Sequence, residues 1–231
     1  MRLIEILEES FQELRERPVY FVPRFISTGI STAWFIYILS NLKTNLYLAT
    51  APFIIFMGLF VPVMVAYMVE NRSGLIEGFQ TTLRKADDIF LSTLVFFAAA
   101  AVAALPTVLG TALYIMNRNI AGLVIGGSLS LLLILATGFA TYFLPITLIR
   151  NGVIESFRES ASFSSQNSRE VTALLLFSFL LFGLSAASSG VLQTLGLIGF
   201  VLGRFTSAVV ATYLIVVSPK YYLEKGKDKE N

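Results

Sequence analysis

Four stretches of this chain contain no Lys, Arg, Asp or Glu: residues 44–69, 89–117, 119–149 and 171–203. A helix needs about 20 apolar residues to cross the hydrocarbon core of a bilayer. Each stretch is therefore long enough to span a membrane. The last is too long for one helix; with residues 205–219 it holds two, interrupted by Arg204. Composition agrees. The chain is 55% hydrophobic and 14% charged, where soluble domains carry roughly 25% charged residues. With a mean hydropathy of +0.75, it falls in the membrane class.

The pattern predicts an all-α, polytopic membrane bundle of six helices, over residues 21–41, 46–67, 89–114, 120–148, 171–191 and 196–217. The links alternate in length. Residues 41–45, 116–119 and 190–195 are short turns, whereas 70–88 and 150–170 are long and charged. The helices thus form three hairpins within a single integral membrane domain, 1–231. Segments 1–17, 71–88 and 150–169 are expected at the interface, and 220–231 as a cytoplasmic tail.

A short phrase introduces each hairpin. Ile76-Glu77-Gly78-Phe79-Gln80 recurs as Ile154-Glu155-Ser156-Phe157-Arg158, and Glu9-Ser10-Phe11-Gln12 is a weaker copy. Each copy is amphipathic. Leu3, Ile4, Leu7, Phe11 and Leu14 share one helical face; so do Ile76, Phe79, Leu83 and Ala86, and then Ile154, Phe157 and Ala161. Helices of this kind lie in the membrane interface with the apolar face down. They read as elbows leading into the spans, or as surfaces that sense lipid or dock a partner.

Charge orients the chain. Of its 17 Lys and Arg residues, only Lys43 and Arg118 sit in the short turns, and Arg204 lies inside a span. The rest gather before or at the start of the first span, on the two long links and in the tail. By the positive-inside rule, both termini are expected in the cytoplasm and the protein in the cell membrane. Met1 to Arg17 has no apolar signal core, so no cleaved signal peptide is expected.

Three hairpins with such elbows, together with Pro18 and Pro23 around the first span, resemble a broad set of six-helix prokaryotic membrane proteins grouped around the membrane domain of some glycerophosphodiester phosphodiesterases. The matching residues are the Glu77–Phe79 and Glu155–Phe157 repeats. The soluble phosphodiesterase barrel is absent. The resemblance implies a membrane scaffold and transfers no catalytic residue.

Arg204 is the most unusual position. It lies about eight residues into the last span, about 12 Å deep at 1.5 Å per residue, close to mid-membrane. Charges there are costly and usually face the bundle interior or a water-filled cavity. No span contains an acid to neutralise it. Its expected partners are carbonyls freed by proline, Thr206, Tyr213, or a bound anion such as a lipid phosphate; a purely structural role stays open. Arg24 and Glu70, at the cytoplasmic ends of the first two spans, read first as ordinary interfacial anchors, and otherwise as an ion pair across the first hairpin or an anion-binding rim. Pro52, Pro62, Pro106 and Pro145 fall within spans as kinks or as breaks of the kind that build midplane sites in transporters. Gly122 and Gly126, and Gly199 and Gly203, are small-residue pairs suited to close helix packing. Tyr221 and Tyr222 are expected at the interface, in a solvated tail.

The absences narrow the function. With no Cys and no His, disulfides, thiol nucleophiles and His/Cys metal sites are excluded. No phosphate-binding GxxxxGK[ST] loop occurs, and no basic patch fits a nucleic acid. No cofactor, metal, nucleotide or catalytic residue is expected. The leading expectation is a non-enzymatic protein that interacts with membrane lipids or organises the membrane, alone or with a membrane-protein partner, through Arg204, Arg24 and Glu70. A small-solute transporter or permease component is the alternative. A lipid-modifying enzyme ranks last, since acids near a bilayer substrate are limited to Glu70, Glu77, Asp87, Asp88 and Glu155.

Overall fold

The computed structural model describes residues 3–41, 44–118 and 120–227. Arg2, Lys43, Asn119 and Lys229 lie outside them. Among the described residues the chain is helical throughout, without strands, and six helices are long and apolar enough to span a membrane.

The amphipathic α1 (Leu3–Glu16) passes through a single 3-10 turn, Pro18–Phe21, into α2 (Val22–Asn41). The hairpin returns as α3 (Thr44–Asn71). A second amphipathic helix, α4 (Leu75–Arg84), turns at Lys85 into α5 (Ala86–Asn117), which pairs with α6 (Ile120–Thr141). The short α7 (Leu144–Arg150) leads to the third amphipathic helix, α8 (Val153–Gln166). From there α9 (Ser168–Gln193) and α10 (Gly196–Lys227) form the last hairpin. The α5–α6 turn is held by Arg118 in the left-handed region, at φ 53°.

Two spans differ from expectation. The fourth breaks at Tyr142–Phe143, just ahead of Pro145, and restarts as α7. Proline supplies no amide to the helix ladder, and the groups exposed at the break are taken by hydroxyls from other helices. Ser160 donates to the carbonyl of Ala140 at 2.8 Å and accepts from the amide of Phe143 at 3.2 Å. Ser218 donates to the carbonyl of Tyr142 at 2.9 Å. At Pro106 α5 stays continuous, and the amide of Thr107 bonds Ser130 Oγ on α6 at 3.0 Å.

The sixth span does not stop at Val217. α10 runs through Pro219 to Lys227, so residues 220–227 are not a solvated tail. Tyr221 is 0% exposed. Its ring stacks on Phe143 at 5.7 Å and meets Phe163 edge-on at 6.2 Å. Tyr222 is buried too, and its hydroxyl donates to Glu159. Lys220 bridges Glu9 at 3.4 Å and Glu13 at 3.1 Å on α1.

Each amphipathic helix turns small residues toward the bundle. Ser10, Gly78, Thr82, Ser156 and Ser160 are buried. Most of the buried hydroxyls are satisfied within their own helix, as in Ser10 to the carbonyl of Ile6 at 2.6 Å and Thr82 to that of Gly78 at 2.7 Å. At Gly78 a Cβ would come within 2.7 Å of Met68 Cγ, so only a minimal side chain lets α4 sit this close to α3. Large apolar residues point outward: Phe11 is 65% exposed, Ile76 74% and Ile154 71%. That is the geometry of helices whose apolar face meets lipid. α1 differs in part, since Leu14 turns inward with Ile6.

Packing is uneven along the bundle. At the end that carries α1, α4 and α8, Tyr20, Phe60, Val61, Met64, Met68, Ile89, Leu144, Leu148 and Val216 form one dense core. Phe143, Phe163, Val171, Leu174, Val217 and Tyr221 form a second beside it. Toward the hairpin turns, α5 and α6 still pack tightly. A Cβ at Gly126 would lie 2.2 Å from the carbonyl oxygen of Pro106, and one at Gly110 2.4 Å from that of Gly122. Between the first and third hairpins, however, packing loosens there.

Candidate functional site

Between those two hairpins lies a cleft of about 1170 Å³ lined by α2, α3, α9 and α10. Each helix contributes one face, set by the 3.6-residue period. From α2 come Arg24, Ser27, Thr28, Ser31 and Trp34; from α10, Phe200, Gly203, Arg204 and Ser207. α3 contributes Thr50, Phe53, Ile54 and Met57, and α9 Ala186, Ser189 and Gln193. The walls are mostly apolar, and the polar groups converge from α2, α9 and α10.

The local sequence explains why the helices can stand this way. Gly203 lets α10 press on α9, where a Cβ would be 3.1 Å from that of Ser189. Ser207 bonds Ser185 at 2.9 Å and Ser189 at 3.1 Å, tying the third hairpin together from inside. Phe25 against Phe205 and Phe35 against Phe200 join α2 to α10 along their length, at 5.7 and 5.6 Å between ring centroids. The Trp34 indole donates to Thr50 Oγ1 at 2.8 Å, joining α2 to α3.

Arg204 reaches from α10 to α2. Its Nη2 donates to Ser31 Oγ at 2.8 Å and its Nε to Thr32 Oγ1 at 3.2 Å. Its expected partners are engaged elsewhere: Thr206 donates to the carbonyl of Leu202 in its own helix, and Tyr213 to the carbonyl of Leu7 on α1. The hydroxyls of α2 were missed in the sequence. The available signal was four polar side chains, Arg24, Ser27, Thr28 and Ser31, at helical spacing in an apolar span. Ser31 itself donates to the carbonyl of Thr28 at 3.1 Å, which fixes its oxygen toward the guanidinium.

Arg24 lines the same cleft, and its buried Nε has no hydrogen-bond partner. With Arg204 it gives the cleft two like charges. No acidic residue is among the residues lining the cleft. The groups that meet Arg204 among the described residues are hydroxyls, and a hydroxyl carries no counter-charge. A buried charge without a counter-charge is costly, and a guanidinium is shaped to take phosphate or carboxylate oxygens.

Glu70 is not part of this site. Its carboxylate pairs with Arg150, whose Nη2 lies 2.5 Å and Nε 2.8 Å from Oε1. Of the readings open for Glu70, the ion pair to Arg24 across the first hairpin gives way to one to α7, because the restart at Leu144 brings Arg150 to the end of α3. Arg150 also lies over the Tyr222 ring, 5.6 Å from its centroid. Arg24 and Arg204 come together; Glu70 stands with the dense end of the bundle.

Compared with protein-family models, curated proteins and solved structures, the chain matches none.

Proposed function

We propose that the protein is a non-enzymatic component of the cell membrane that binds an anionic lipid in the cleft between its first and third hairpins. One observation carries this reading: Arg24, with an unpartnered buried Nε, and Arg204 share a cleft lined by no acid. A phosphate or carboxylate would supply the counter-charge that the residues lining the cleft lack. The outward apolar faces of α1, α4 and α8 support residence in a lipid surface. The basic residues on that end favour a cytoplasmic location for it and for both termini. The equivalent burial of Ser10, Gly78 and Ser156 supports reading the three elbow-and-hairpin units as copies of one unit.

The test is native mass spectrometry of the detergent-purified protein beside Arg24→Gln and Arg204→Ala. The expected result is a stoichiometric anionic phospholipid on the wild type that is depleted in both variants and kept in Glu70→Gln. Identical bare spectra for all four proteins would remove the reading.

A further inference from the structure

We propose that the cleft is a lane along which the phosphate head group of an anionic lipid crosses the membrane while its acyl chains stay in the surrounding bilayer. This rests on the anionic-lipid reading above and adds an activity to it.

The first argument is the height of the polar groups. Along α2 the cleft extends from Arg24 to Tyr37, thirteen residues or about 20 Å of helix rise. The hydrocarbon core is about 30 Å thick. A pocket that merely held one head group would be polar at one level only. Here Arg24 stands near the start of α2, Ser27 and Ser31 follow, Arg204 meets Ser31 near mid-span, and Gln193 and Tyr37 stand toward the hairpin turns.

The second argument is the spacing of the charges. Arg24 and the Ser31 that anchors Arg204 are seven residues apart, about 10 Å in depth. Conduction needs sites attractive enough to enter yet weak and numerous enough to leave. Two cations on different helices, with no acid among the residues lining the cleft, meet that condition. Among the described residues Arg204 is held by two neutral hydroxyls, which a passing phosphate can replace.

The third argument separates a lipid from a free ion. The cleft is not walled off from the bilayer: Ile30 and Phe53 line it and are more than half exposed. A free phosphate would need a closed pore to keep it from hydrocarbon. A lipid head group needs one polar side, with an open flank for its chains.

The experiment reconstitutes the full chain in vesicles of phosphatidylcholine and phosphatidylglycerol with a trace of fluorescent phosphatidylglycerol. Dithionite bleaches label on the outer leaflet only. With wild-type protein the inner-leaflet label is expected to become bleachable. Arg204→Ala should slow this about tenfold, the effect of losing one charged hydrogen bond. Gly58→Leu, placed where an added Cβ meets nothing, should slow it too by filling the cleft while leaving both arginines and the melting temperature unchanged. Inner label that stays protected, with lipid still bound in the mass spectrum, overturns the lane and leaves the binding reading standing. Absence of bound lipid overturns both. Entry of inorganic phosphate without lipid movement also overturns the lane, in favour of a free-anion path.

Discussion

Arg150 grips one oxygen of Glu70 with two nitrogens, Nη2 at 2.5 Å and Nε at 2.8 Å, and so joins the end of α3 to α7 across 80 residues of sequence. The pair is partly exposed, its two side chains retaining 44% and 18% of their accessible surface. Its worth is therefore modest, about 0.5 to 1 kcal/mol after solvent screening. Glu70→Gln and Arg150→Gln should each lower the melting temperature slightly in detergent. The double variant should cost less than the sum, because the two residues serve one interaction. Strict additivity would mean that the pair contributes nothing.

Two closely packed glycines should respond differently to the same change. At Gly126 an added Cβ would lie 2.2 Å from a backbone oxygen of the facing helix. At Gly78 it would meet the thioether of Met68, a flexible side chain. Gly126→Ala should cost about 1 to 3 kcal/mol by forcing α5 and α6 apart. Gly78→Ala should cost distinctly less. Thermal unfolding of the two variants beside wild type checks the order.

Tyr221 should behave as a core residue. Its ring is enclosed by Phe143 and Phe163, so Tyr221→Ala should destabilise by about 3 to 5 kcal/mol. A truncation before Lys220 should fail to accumulate as folded protein, since it also removes the bridges to Glu9 and Glu13. Normal yield and melting temperature for the truncated chain would contradict this.

The absence of cysteine makes orientation directly testable. A single cysteine at Asn117 should react with an impermeant maleimide added to whole cells, and one at Glu77 should not until the membrane is opened. The reverse pattern would put the dense end of the bundle outside.

The spans, their pairing into hairpins and the amphipathic elbows were legible because each depends on periodicity within one segment. Arg204 stood out for the same reason: a charge in an apolar run is visible locally. What it touches was not, because Ser31 and Thr32 lie 173 and 172 residues away. The elbow faces were read from their large apolar residues. The structure adds that the small residues beside them, Ser10, Gly78 and Ser156, are the ones that dock. Tyr221 and Tyr222 looked interfacial because lysines and acids surround them. Those charges are instead spent on α1 and on α9, where Lys225 pairs with Glu170. Glu70 had two arginines to choose from, and only the break before Pro145 decides between them.

The contact between α1 and α10 sets the order in which the molecule can be completed. Lys220 and Glu13 are separated by 207 positions. At roughly 5 to 20 residues per second of synthesis, α1 leaves the ribosome roughly 10 to 40 s before its partner exists. During that interval Ile6 and Leu14 have no finished core to enter. α1 is thus made well before the helix that completes its packing, and a chain interrupted before α10 carries an unburied face for proteases to read.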